Sequence, residues 1–238
     1  MRMRLHTRAC STVRTVTTSD DAPTARPSLD DAAAWQALSP LLGPFLPWSS
    51  GAMRPTGLLT VLNDVWFRRS PNIVELGSGV STVILARLLH ELGAGQLLAV
   101  EHDQQWADRV EKQLGQERLN DVARVVRAPL RPSAHTWDSG EWYDEPVLLT
   151  AVEGTAVDVL VVDGPPAWRP GSAHARFPAL DMFAPFLAPG ATVVLDDVER
   201  DGERDVLQRW SREHAIRFDM RPEAGIAVGT WPARTRAS

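Results

Sequence analysis

The sequence has one cysteine, Cys10, and one lysine, Lys112. A lone thiol in what reads as an N-terminal tail cannot close an internal disulfide, so nothing argues for an oxidising compartment. No apolar run approaches membrane-spanning length, and no membrane association is expected. Basic charge is not in excess either. The net charge of -5 gives no overall attraction to phosphate backbones, which counts against a nucleic-acid substrate. Arg2, Arg4, Arg8 and Arg14 are not followed by an apolar core, so the start does not read as a secretory signal. A cytoplasmic protein acting on a small molecule is the expectation, with monomer and homo-oligomer both open.

What is present suffices for one α/β domain with a short extension: 238 residues, 44% of them hydrophobic. Residues 1–28 alternate arginine, threonine, serine and proline with few large apolar side chains, and are expected to form a disordered leader. Residues 29–70 read as a helical cap or lid, residues 71–232 as the main domain and residues 233–238 as a tail. Trp48 and Met53 lie on the breaker-rich connection within the cap. Such connections carry binding residues more often than core helices do, which makes both candidate substrate contacts.

The chain is organised around Ile73 to Thr82, a buried strand that breaks into a glycine turn and opens a helix. Gly77 and Gly79 let a ligand lie against the main chain, with the hydroxyls of Ser78, Ser81 and Thr82 beside them. A dinucleotide fingerprint would place its third glycine at Thr82. With Glu75 inside the strand, this stretch resembles motif I of the class I S-adenosylmethionine-dependent methyltransferases. The resemblance implies a Rossmann-like α/β fold: a mostly parallel seven-stranded sheet, a C-terminal antiparallel hairpin and helices on both faces. It makes Glu75, Gly77, Ser78, Gly79, Ser81 and Thr82 cofactor-binding candidates.

Glu101 ends the next strand, where a carboxylate can accept both ribose hydroxyl hydrogens. His102 could touch the adenosine, and Asp103 reads as a helix cap. The third strand ends in Ala128, which leaves adenine to packing and backbone contacts. Residues 131–155 read as a long loop whose Trp142 and Tyr143 could wall the adenine or the substrate, or else cover the sheet edge.

Asp163 closes a fourth strand, and Asp196 and Asp197 close a fifth. Such acids should face the cradle, and would repel one another unless a cation or hydrogen bonds compensated. Oxygen-only ligands suit magnesium. One acid followed by an acidic pair is similar to the metal-dependent small-molecule O-methyltransferases. That resemblance implies that Asp163, Asp196 and Asp197 hold Mg2+, which would lower the pKa of a substrate hydroxyl. The catechol-type lysine base has no counterpart, since Pro166 stands in its neighbourhood, so Asp163 itself or His174 is the candidate base, with His135 a further histidine. The expected reaction is methyl transfer to a hydroxyl of a phenol, sugar or natural-product intermediate. A nicotinamide-dependent oxidoreductase, disfavoured by Thr82 and the terminal hairpin, and a non-catalytic S-adenosylmethionine-binding domain are the rivals.

Overall fold

The computed structural model describes residues 29–43, 46, 48–49, 51–69, 71–137 and 139–232. The leader with Cys10 and the tail lie outside the described residues. Two helices come first, α1 (Leu29–Leu42) and α2 (Pro55–Arg68). They are clamped by Asp31, whose carboxylate accepts from Arg54 Nη2 at 2.6 Å and from Thr56 Oγ1 at 2.7 Å.

The alternating units then run β1 (Asn72–Leu76), α3 (Val80–Leu92), β2 (Gln96–Glu101), α4 (Gln104–Gln116) and β3 (Ala123–Arg127). The stretch expected to be a loop is instead ordered. It folds as a small hairpin, β4 (Leu130–Pro132) with β5 (Glu141–Tyr143), followed by α5 (Glu145–Val152). Asp144 caps that helix by accepting from Val147 N–H, and Pro146 sits in its first turn, where a missing N–H costs nothing.

The remaining elements are β6 (Val157–Val162), α6 (Pro178–Phe183), β7 (Leu187–Asp196), α7 (Asp201–His214), β8 (Phe218–Arg221) and β9 (Ile226–Thr230). The main sheet has the order β3-β2-β1-β6-β7-β9-β8. Strands β3, β2, β1, β6 and β7 are parallel, while β9 runs antiparallel to both β7 and β8.

Because successive strand residues point to opposite faces, each buried strand feeds two cores. Val74, Leu76, Leu160 and Val162 join one cluster with Phe183 and Trp210; Ile73, Val159 and Val161 join the other with Leu58, Val61 and Ile84. Successive strands lie to one side of β1 (β2, β3) and then to the other (β6, β7), so the order reverses between β1 and β6. A crevice opens at such a reversal, beyond the carboxyl ends of the strands.

Candidate functional site

At that crevice Gly77 follows β1 with φ +91°, a backbone conformation glycine tolerates and other residues rarely adopt. Its N–H donates to Val100 O at 2.9 Å, and Asp163 N–H donates to Leu76 O at 2.9 Å, so the tips of β1, β2 and β6 are laced together. A side chain at Gly77 would meet Gly164 N at 3.0 Å.

The turn is held from behind by a relay. Gly79 N–H donates to Thr82 Oγ1 at 2.8 Å, and Thr82 Oγ1 donates to Glu75 Oε2 at 2.5 Å. Thr82 thus occupies the place of a third glycine because its hydroxyl fixes the turn. Glu75 is fully buried, and burial raises its pKa to about 7 against the hydroxyls of Ser81 and Thr82. Both Glu75 and Thr82 stand behind the cradle as supports. Trp106 on α4, a residue the sequence did not single out, fixes the turn from another side by donating its indole N–H to Ser78 O at 2.6 Å.

Glu101 lines a cleft of about 380 Å³ together with Gly51, Gly77, Ser78, His102 and Asp163. Its carboxylate is heavily engaged by the protein. Oε2 accepts from Ser78 N and Oγ at 3.1 and 3.0 Å, and Oε1 accepts from the N–H groups of His102 and Asp103, each at 2.8 Å. A ribose there would share these oxygens with the main chain. Gly79 and Ser81 line an adjoining hollow with Gly77, Ser78 and Asp163, covered by Ser49, Gly51 and Ala52.

Opposite the cradle, the three acids converge as expected: one ligand oxygen each from Asp163, Asp196 and Asp197 lies within 4.8 Å of the others. The oxygen-only chemistry would suit a hard divalent ion. A guanidinium, however, is already there. Arg176 is buried and donates through Nη2 to Asp163 O at 2.6 Å, Asp163 Oδ1 at 3.3 Å and Asp197 Oδ2 at 2.8 Å. Its Nη1 donates to Asp196 O at 3.1 Å and its Nε to Pro165 O at 3.3 Å. Arg200 adds a second cation, 2.8 Å from Asp197 Oδ2, and buried Glu203 lies 3.6 Å from both arginines.

Four acids still outnumber two cations. Burial, with the charge of Asp196 next, pushes Asp163 well above the usual carboxylate range. Burial, then Asp197, lifts Asp196 to about 7. Protons and guanidiniums therefore offset the repulsion. A metal ion would have to compete with N–H bonds that Asp163 and Asp197 already accept. Asp197 sits at φ +62°, an uncommon backbone for a residue other than glycine, of the kind that recurs at functional sites. The sequence signal for Arg200 and Glu203 was the need itself: three strand-end acids require partners, and these two follow Asp197 closely in the chain, whereas Arg176, 13 residues beyond Asp163, carried no such signal.

Several other candidates do not reach the cleft. His174 stacks on Trp137 with ring centroids 4.3 Å apart, its Nε2 is 3.4 Å from Asp205, and it lines an adjoining cleft of about 310 Å³ that shares His102, Pro166 and Arg169 with the first. His135 lies largely exposed, 3.8 Å from Glu145. Trp142 is completely buried in the core, and Met53 packs in the core beside α2. Trp48 is half-buried edge-on to Trp35, with centroids 4.6 Å apart. Ala128 is buried below the cleft, its N–H donating to Glu101 O at 2.8 Å. Tyr143 does line the cleft.

A family model described as a methyltransferase domain matches residues 74–198, which run from the middle of β1 to just past Asp197. The chain belongs to this methyltransferase family. With its cradle, its strand order and its closing hairpin, it is a class I, S-adenosylmethionine-dependent methyltransferase. Solved structures share the fold of this methyltransferase at low identity. An SAH-bound methyltransferase of Podospora anserina superposes with TM-score 0.58 at 13% identity, covering 88% of this chain and 91% of that one. A putative caffeoyl-CoA O-methyltransferase of Staphylococcus aureus gives 0.56 at 12%, covering 86% and 92%. The O-methyltransferase TomG of Streptomyces achromogenes, described as involved in tomaymycin synthesis and in complex with SAM, gives 0.52 at 19%, covering 87% and 92%. No curated protein matches the methyltransferase. Among its described residues, no helix is long and apolar enough to cross a membrane.

Proposed function

We propose that this methyltransferase moves the methyl group of S-adenosylmethionine onto a hydroxyl oxygen of a small molecule. The observation that carries the reading is the position of Asp163. It closes β6, is tied through its N–H to the end of β1, and lines the same cleft as Gly77 and Glu101. A base at that point stands beside the sulfonium end of a donor laid along the cradle. The acceptor oxygen attacks the methyl carbon in line, the C–S bond breaks with its electron pair passing to sulfur, and the hydroxyl proton passes to Asp163 in its ionised form, a carboxylate that burial makes a stronger proton acceptor than an exposed one. Arg176 fixes the orientation of that carboxylate through its bonds to both Asp163 O and Oδ1.

The cleft volume and the net charge of -5 favour a small acceptor, a phenol, sugar or natural-product intermediate, over nucleic acid. O-methyltransferases recur among the structural neighbours. A cytoplasmic address belongs to the same proposal. Mg2+ has no step in it, because Arg176 and Arg200 already bond two of the three carboxylates the ion would use, those of Asp163 and Asp197.

Transfer of a tritiated methyl group to a panel of phenols and sugars tests the reading. Asp163→Asn should lower the rate by about 10²–10⁴-fold, the usual contribution of a positioned base. Chelator should leave the wild-type rate unchanged. A wild-type rate in Asp163→Asn would remove the base assignment, and loss of activity with EDTA, restored by Mg2+, would reinstate the ion.

A further inference from the structure

Tyr143 is the only tyrosine in the chain, and the fold spends an inserted hairpin to deliver it. It ends β5, pairs with Leu130 of β4, and is anchored by the next residue, whose N–H donates to Pro129 O at 2.9 Å. The side chain is 1% exposed, yet it lines the donor cleft with Gly77, Ser78, Glu101 and Asp163. Its hydroxyl is buried and has no hydrogen-bond partner among the described residues.

The hydroxyl also explains a glycine. A Cβ at Gly164 would lie 2.3 Å from Tyr143 Oη and 2.9 Å from Gly77 Cα, so Gly164 is kept bare where the phenol meets the cradle. Burial, with the charge of Glu101 next, holds the phenol well above its ordinary pKa, and it stays a donor at any physiological pH. A buried hydroxyl with nothing to bond is a net cost, and phenylalanine would fill the same space without it. The polar group therefore answers to something that enters the cleft.

We infer that Tyr143 is a positioning residue for the methyl donor, its O–H donating to an oxygen of the donor's ribose beside Glu101. This goes beyond the acceptor chemistry and depends only on the cleft being the donor site. Tyr143 holds the nucleoside while Ser78 and the glycine turn hold the rest, and the sulfonium is thereby kept in register with Asp163.

The test compares wild type with Tyr143→Phe, measuring the melting temperature without ligand and the dissociation constant for S-adenosylhomocysteine by calorimetry. The expected result is an unliganded melting temperature equal to or above wild type. The dissociation constant should be about tenfold weaker, the loss of one hydrogen bond, with KM for the donor raised more than kcat is lowered. An unchanged dissociation constant would overturn the inference, and a lowered melting temperature with unchanged affinity would show that the hydroxyl serves only the fold, through a buried water. Absence of binding by wild type would overturn the donor site itself, while failed methylation alongside normal S-adenosylhomocysteine binding would touch only the acceptor proposal.

Discussion

Glu75 shows how a single residue couples the site to solution conditions. In the unfolded chain its carboxyl ionises near 4.5, whereas burial raises it to about 7 in the fold. Between those values the folded protein keeps a proton that the unfolded chain has released. Stability from this group is therefore complete below pH 4.5 and is lost as pH rises through 7. Over that interval the loss is on the order of 3 kcal/mol, since each unit of difference is about 1.4 kcal/mol. Asp196, lifted to about 7 by burial and Asp197, pulls in the same direction. The informative quantity is thus the difference between proteins. Urea unfolding of donor-free wild type and Glu75→Gln at pH 5 and pH 8 should show a smaller fall in the variant, because the amide has no proton to lose. Equal falls would mean that Glu75 finds compensation that the bonds to Ser81 and Thr82 do not supply.

At the scale of elements, the apolar runs made most of the sheet legible. The strands at 96–101 and 157–162 stand out as mostly apolar runs leading to an acid, as expected of strands buried on both faces. The hairpin did not, because β4 and β5 have three residues each, too few to alternate, and only Asp144 with Pro146 marked the helix behind it. In the site, Asp163, Asp196 and Asp197 were legible since a strand end fixes where an acid lies. Arg176 was not, because its guanidinium crosses between segments that sequence spacing does not relate. Trp142 and Met53 have chemistry suited to a ligand, and only burial assigns them to the core. Another such close approach is Gly202, the second residue of α7, where a Cβ would lie 2.1 Å from Ala173 O. That contact is backbone and cannot swing aside. Gly202→Ala should push the start of α7 off the 173 segment, moving Arg200 and Glu203 with it. A loss of about 2 kcal/mol is expected, roughly 4–8 °C in melting temperature for a chain of this length. Thermal unfolding followed by circular dichroism measures it, and an unchanged midpoint would show that the segment yields freely.

At the scale of the whole molecule, the cleft is a meeting point of distant chain. Gly51 comes from the connection between α1 and α2, Gly77 and Ser78 from the β1 turn, Glu101 and Trp106 from β2 and α4, Tyr143 from the hairpin, and Asp163, Arg176 and Asp197 from the second half. A donor filling this cleft touches segments that must all be folded at once, so it binds the native state and has no comparable site in the unfolded chain. Mass action then converts occupancy into stability: ligand at a hundred times its dissociation constant contributes about 2.7 kcal/mol. For a chain of this size that is roughly 5–10 °C in melting temperature. S-adenosylhomocysteine should produce such a rise, increasing with the logarithm of its concentration above saturation, whereas NAD should produce none. The two ligands share an adenosine, so the contrast depends on the group attached beyond the ribose, a thioether in one and a pyrophosphate in the other. Thr82 fills the place of the third glycine of a pyrophosphate site, and the cradle meets Asp163 where a second phosphate would be repelled. A rise with NAD matching that with S-adenosylhomocysteine would show that the cleft reads only adenosine, and that the turn around Gly77 does not select the sulfur end of the donor.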